Sequence, residues 1–451
     1  MRYVLLLLLV FTTLNTFAQA DSTFIRKIYD EALENGQSYQ NLEVLCKTIG
    51  ARITGSAEAE MAVKWGENLL NSYGFDKVYL QEVKVPHWER GTKEAAWIIN
   101  ESGETIKLDI LALGGSVGTN GLMEGEILEV YDVESLKKLT AKDVEGKIVF
   151  LSKAFDQKFI STFWAYGNCY PLRGNGTKEA GKLNAKAVVI RSLATPIDEF
   201  PHTGTMSYDE TGNKIPGAAI STQNAEMLSA WLKKGKVTLK MEMDCKSYPD
   251  VTSYNVIAEM TGKDDKIISL GGHLDSWDVG EGAHDDGAGI VHSIEALRVL
   301  KKLGYKPNHT IRCVLFMNEE NGNRGGLAYA KIASEKGEKH ICALESDSGG
   351  FLPLGFRVLG SDEQVKFINS YSPLLSNVEL LKFSKGFAGV DIGPLKNYYP
   401  EMIQLGLSVN SQEYFIYHHS ANDVLENVNK RELELGSAAM ATMVYLMDQG
   451  L

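Results

Sequence analysis

Apolar positions along this chain alternate between helical and strand spacing, and the changes of rhythm divide it into three stretches. From Asp21 to Leu45 the apolar residues Phe24, Ile28, Tyr29, Ala32 and Leu33 recur at helical spacing, with polar residues between them. Gly50 to Ser56 reads as a turn, Ser56 as the cap of a helix over 57–73, and 78–83 as an alternating strand. Between 114 and 246, Gly-rich turns separate short strands at 124–130, 147–151, 185–190, 218–220 and 237–243, with short helices at 176–183 and 224–232. From Val251 the pattern returns to strand-helix alternation, with strands at 255–260, 266–270, 310–317 and 340–344 and helices at 288–303, 325–335 and 430–447. Helical crossovers between short buried strands imply an α/β fold, a mixed and largely parallel sheet with helices on both faces. The middle stretch reads as a smaller, mostly-β insertion and not as a catalytic unit, because no pair of candidate ligands clusters in it. His202, in a Pro- and Gly-flanked loop of that stretch, reads as a surface or substrate-rim residue.

Length, at 451 residues with 44% hydrophobic, suggests two or three domains with ample core. The formal net charge of -12, from 58 acidic and 46 basic residues, argues against a nucleic-acid partner, which needs a basic surface. Residues 1–20 have the layout of a secretory signal: Arg2, an apolar run from Val4 to Phe11, then Ala18-Gln19-Ala20 as a cleavage site. That run is shorter than the about 20 residues that span a bilayer. No later segment is long and apolar enough, so export to the periplasm or the medium, with no membrane span after cleavage, is expected. Five Cys remain (Cys46, Cys169, Cys245, Cys313, Cys342), none in CxxC spacing, and an odd count leaves at least one thiol free. Cys313 and Cys342 sit in strand-like apolar runs and read as buried small hydrophobes.

The chemistry concentrates where strands stop. KIISLGGHLDSWDVGEGAHDDGAGI, from Lys266 to Ile290, ends a strand in His273-x-Asp275 and continues through a loop to His284-Asp285-Asp286 at the start of a helix. The next strand ends in Glu319-Glu320 and the one after in Asp347. Open α/β sheets bind ligands at the carboxyl ends of their strands. A buried row of acids there repels itself unless cations neutralise it. A last cluster, Tyr417-His418-His419-Ser420-Ala421-Asn422-Asp423, adds imidazoles from a chain that has only nine His. Such nitrogen and oxygen donors suit zinc, and a shared carboxylate suits two ions about 3.5–4 Å apart. A nearby unligated Glu then supplies a general base. The residues alone therefore read as a two-metal hydrolase.

GGHLDSWDVGEGAHDDGAG, NEENG, ESDSGG and HHSANDV, in that order, resemble the co-catalytic zinc exopeptidases of metallopeptidase clan MH, family 28. GARITGSAEAE is similar to the family's start, and VEGKIVFLSK, AKAVVI and IPGAAIS are similar to a protease-associated domain. The resemblance implies a catalytic domain over 21–113 and 247–451 with an insertion at 114–246. It implies that Asp285 bridges two zinc ions, His273 and Asp347 completing one site and Glu320 and His419 the other. Glu319 is then the general base that takes a proton from the bridging water and returns it to the leaving amine. Asp275 is expected to orient the His273 ring, and a cis peptide is expected between Asp285 and Asp286. His418 stands where many relatives carry an oxyanion-donating Tyr and is expected to take that role. His284 departs from the small or apolar residue expected before the bridging Asp and stays outside the metal set. Peptide as the substrate comes from the family. One branch of it implies dipeptides with free termini, a homodimer, and pocket walls at 386–391 and 414–418. A broad zinc aminopeptidase of the same family is the alternative.

Overall fold

The computed structural model describes residues 21–210 and 212–451, so the expected signal at 1–20 lies outside the described residues. An eight-stranded sheet organises the site. Its order is Lys77–Glu89, Lys246–Met260, Thr310–Phe316, Lys266–His273, Lys339–Glu345, Ile403–Val409, Pro353–Leu359 and Lys382–Lys385. The four central strands run parallel, and antiparallel partners flank them. Parallel pairing brings the carboxyl ends together: His273 stands beside Phe316, and Gly271 beside Glu345.

Side chains alternate across this sheet as the pleat requires. Val256, Ala258, Cys313 and Leu315 face the helices Ala57–Ser72, Ala288–Lys302 and Lys430–Gly450. Ile257, Val314 and Phe316 face the helix Arg324–Glu335 through Tyr329, Ala330 and Ala333. The Ser56 side chain accepts from the Ala59 amide, so the expected cap forms. The strand expected at 255–260 is far longer, Lys246–Met260, because its polar first half pairs antiparallel with Lys77–Glu89.

A second eight-stranded mixed sheet takes in Met123–Val130, Ile148–Leu151, Ala187–Arg191, Gly217–Ile220 and Val237–Met243. It also includes Glu94–Asn100, Thr105–Leu108 and Ile110–Ala112, which precede residue 114, where the composition changes. Its parallel strands are joined through a 21-residue helix, Thr162–Lys182, in place of the short helix expected at 176–183. This unit is therefore α/β and not mostly β. All five Cys are buried and free. No helix among the described residues is long and apolar enough to cross a membrane.

Candidate active site

Five chain segments deliver the site to the carboxyl edge of the first sheet. The strand Lys266–His273 ends in the His273 imidazole, whose Nε2 lies 3.2 Å from Asp285 Oδ1 and 3.8 Å from Asp347 Oδ1. Asp285 arrives on the loop before the helix Ala288–Lys302 and is joined to Asp286 by a cis peptide, as the resemblance implies. Its Oδ2 is 3.1 Å from His419 Nε2, which in turn is 3.1 Å from Glu320 Oε2. Asp285 thus stands between one group made with His273 and Asp347 and another made with Glu320 and His419. Its donor atoms fall within 4.8 Å of those of His273 and Asp347, and likewise of His418 and His419.

The residues around this centre hold the candidate ligands through the backbone. Asp286 accepts from the amides of His273 (3.0 Å) and Gly289 (3.0 Å), tying the strand end to the helix start. A Cβ on Gly289 would lie 1.8 Å from the Ser346 carbonyl, so only glycine lets these segments meet. Asp423 accepts from the amides of His284 (2.7 Å) and Asp285 (3.1 Å), a role the sequence did not single out. Arg52, fully buried, donates to the carbonyls of Gly50, Leu274, Glu281 and Gly282 and so pins the loop between the His273 strand and Asp285.

Three expectations change in detail. Asp275 was expected to orient the His273 ring, but His273 Nδ1 meets the Asp275 backbone carbonyl at 2.9 Å, while the Asp275 carboxylate lies 3.9 Å away. That carboxylate instead accepts from Thr54 and from the amides of Asn318, Glu319 and Glu320. His202 is not a surface residue: it is buried, and its Nδ1 donates to the His418 carbonyl at 2.6 Å. The middle stretch is not remote from the chemistry either. Its helix Thr162–Lys182 presents Phe163, Tyr166, Tyr170 and Arg173 to a cavity of about 460 Å³ that also reaches Asp285, Glu319, Glu320, Asp347, His418 and His419. That volume falls in the range of small-ligand clefts, roughly 300–1,000 Å³. A second wall comes from Phe387 to Val390, within the expected 386–391 segment, and from Tyr414 and Phe415. Glu345 braces it by accepting from the amides of Val390 and Ile392. His284 is stacked between Phe351 and Tyr417 and hydrogen-bonded to the backbone at Gly350 and Asn427, so it faces away from the donor cluster.

The electrostatics are those of a centre short of positive charge. Burial raises Glu319, Glu320 and Asp347 above their ordinary values; the His273 and His419 imidazoles pull them down and their negative neighbours push them up further. Burial opposes charge on His273 and His419, yet the acids around them hold both above the usual imidazole value, His419 at about 9. Burial likewise penalises an ionised Asp285, but the His273 and His419 rings outweigh it and hold its carboxylate well below the ordinary value. Asp285 Oδ2 and Glu320 Oε1 are buried without an aligned hydrogen-bond donor. Imidazole nitrogens and orphaned carboxylate oxygens converging on shared points fit divalent metal, and the donor types suit zinc.

An open sheet with such a donor set at its carboxyl edge fits a metal-dependent hydrolase. Comparison with known proteins places the chain further. The model of "Peptidase family M28" matches residues 255–444. Carboxypeptidase Q of Bos taurus is 35% identical over 427 residues, 93% of this chain and 86% of that protein. The crystal structure of a peptidase M28 precursor from Shewanella amazonensis superposes with a TM-score of 0.91 at 32% identity, covering 96% of this chain and 97% of that one. The zinc aminopeptidase BSAP of Bacillus subtilis shares the fold, with a TM-score of 0.64 at 21% identity over 91% of this chain and 94% of that one. The chain belongs to peptidase family M28.

Proposed function

We propose that the protein is a secreted dinuclear zinc exopeptidase that hydrolyses the peptide bond of dipeptides or short peptides. The observation that carries this reading is the placement of Asp285 between His273 with Asp347 on one side and Glu320 with His419 on the other. These five residues would hold the two ions. Bound zinc supplies Lewis acidity toward the scissile carbonyl and lowers the pKa of water.

The chain's own residues do the rest. Glu319 lines the cavity beside the candidate ligands Glu320 and Asp347 and takes the proton from the attacking water. It then delivers that proton to the leaving amine, so acid and base are one carboxyl group. Asp275 fixes its backbone through the Glu319 amide at 3.1 Å. His418, its ring stacked 3.5 Å from His419 and its Nε2 3.7 Å from Asp285 Oδ2, faces the same cavity and stabilises the oxyanion. The aromatic helix face from the second sheet closes one side and limits the length of peptide that enters. That second unit is our candidate for a protease-associated domain. The leader at residues 1–20 supports export.

A panel of dipeptides, free and end-blocked, assayed with and without chelator, tests the reading. Hydrolysis lost on chelation and restored by zinc is expected. Unchanged hydrolysis in excess chelator, or none of any peptide by the zinc-reconstituted protein, would refute it.

A further inference from the structure

The two halves of the candidate centre are braced from different directions. His273 Nδ1 meets the Asp275 carbonyl, and the amides of Asp285 and Glu320 are held by Asp423 and Asp275, all within the unit built on the first sheet. His419 is the exception. The acceptor for its Nδ1 is the Thr203 carbonyl, at 3.2 Å, and Thr203 lies between two strands of the second sheet, Ala187–Arg191 and Gly217–Ile220.

The residues around Thr203 cross to the first unit at several points. His202 Nδ1 donates to the His418 carbonyl at 2.6 Å, the Thr203 N–H to the His419 carbonyl at 2.9 Å, and the Thr205 hydroxyl to the Glu320 carbonyl at 2.7 Å. These bonds fall on the His419 and Glu320 half of the centre, and none of them ends on His273 or Asp347. The same residues are tied back into their own unit. The His202 N–H donates to Ser192 Oγ at 2.8 Å, the Thr203 hydroxyl to the Ala112 carbonyl at 2.7 Å, and the Gly114 N–H to the Gly204 carbonyl at 3.0 Å. Arg173 Nη1 donates to the Thr203 carbonyl at 3.1 Å, so that oxygen serves two donors. Gly204, at φ +135°, is what admits the arginine, since a Cβ there would lie 2.3 Å from Arg173 Cζ.

Two features of His419 call for such support. An imidazole that offers Nε2 to a metal keeps its proton on Nδ1, and the acceptor of that proton sets the tautomer and the ring orientation. His419 also sits at φ +63°, in the left-handed region, where a residue other than glycine persists only if its surroundings hold it. Its own carbonyl and the one before it are the two that Thr203 and His202 grip.

We propose that the segment from His202 to Thr205 is a clasp by which the second unit positions His419 and Glu320, with the His202 imidazole as its chief positioning residue. The proposal rests on the metal-ligand assignment above. It makes one of the two ions depend on the contact between the units and leaves the ion at His273 and Asp347 independent of it.

The test titrates metal-free wild type, His202→Phe, His202→Gln and Thr205→Val with Zn2+ by calorimetry and with Co2+ by visible absorption. His419→Ala identifies which ion and which cobalt band belong to His419. His202→Phe keeps a ring without a donor, while the Gln amide can still donate to the His418 carbonyl. His202→Phe is expected to weaken the His419 ion about 10- to 100-fold and to shift its cobalt band, with the other ion within about 3-fold of wild type. His202→Gln should restore most of that affinity, and Thr205→Val should weaken the same ion. Thermal unfolding of the metal-free proteins separates these effects from folding, and Thr205→Val carries the test if His202→Phe does not fold. Both ions bound as in wild type by His202→Phe and Thr205→Val, or both weakened equally, overturns the clasp while the two-ion centre stands. A wild type in which His419→Ala alters neither ion overturns the clasp together with the ligand assignment beneath it.

Discussion

Replacing Asp275 by Asn changes one atom, yet it should cripple the enzyme from a position that need touch no substrate. The Asp275 carboxylate is completely buried. One oxygen accepts from the Asn318 amide at 2.7 Å and the Glu319 amide at 3.1 Å; the other accepts from the Thr54 hydroxyl at 2.9 Å and the Glu320 amide at 3.4 Å. Three successive amides of the turn that carries the proposed base and a proposed ligand therefore donate to a single side chain. In Asp275→Asn one oxygen becomes an NH2 group, which cannot accept. Orienting the amide to keep the Asn318 and Glu319 bonds sets it against the Glu320 N–H. The Thr54 hydroxyl can turn and accept, so that contact is recovered. Hydrogen bonds to a charged group contribute about 1.5–3 kcal/mol each, and a buried donor left unmatched costs about 1–3 kcal/mol. One bond lost and two weakened to neutral strength give a loss of about 2–4 kcal/mol, part of it felt as displacement of Glu319 and Glu320. A shift of about 1 Å at a reacting group lowers rate about 100-fold. Urea unfolding followed by fluorescence, with kcat for a dipeptide, reads both effects. A variant within about 0.5 kcal/mol of wild type and with kcat within about 3-fold would show that the Asp275 bonds do not hold the turn, since surface-type substitutions already reach that stability range.

Other outcomes follow from single residues. Glu319→Gln should lower kcat roughly 10²–10⁴-fold while zinc per chain, measured by elemental analysis, stays as in wild type; a mild rate loss would remove Glu319 as the base. Gly289→Ala places a Cβ 1.8 Å from the Ser346 carbonyl and 2.4 Å from the Asp286 carboxylate, so thermal unfolding should reveal a loss of at least about 1–3 kcal/mol. The His292 ring is held neutral by burial, its pKa lowered to about 3, with Nδ1 bonded to Ser346 Oγ at 2.9 Å. The unfolded chain binds a proton near pH 6.5 that the folded one refuses, so stability from this residue is complete above pH 6.5 and declines as pH falls toward 3. The contribution of this residue to the unfolding free energy should fall by about 3 kcal/mol from pH 7 to pH 4, read as the difference between wild type and His292→Gln.

The strands and most helices of the first sheet were legible because burial writes itself as pattern. Lys266–His273 and Thr310–Phe316 are apolar runs; the first stops at His273 and the second three residues before Glu319. The cluster of acids and imidazoles was legible for a related reason, since such side chains at three strand ends and two loops of one sheet edge are brought together by the parallel strands. The helix Thr162–Lys182 was not. It contains Pro171 and several glycines, which read locally as loop. Tertiary packing overrides that weakness: Ala165, Cys169, Leu172 and Ala180 are buried, and a Cβ on Gly176 would sit 2.7 Å from Leu151. Missing the helix hid the aromatic wall and Arg173, because their helical spacing is invisible until the segment is known to be helical. Asp423 and Arg52 escaped for another reason. Both act on backbone atoms of distant segments, and no spacing in the sequence records which amide or carbonyl a side chain will meet.

Zinc stoichiometry, determined by titrating the metal-free protein and its Asp285→Ala variant side by side, addresses the shared carboxylate most directly. Two ions per wild-type chain, with the variant unable to hold both, is the expected result. A wild type that saturates at one ion, or a variant that still binds two with undiminished affinity, would mean that Asp285 does not join the two halves of the site.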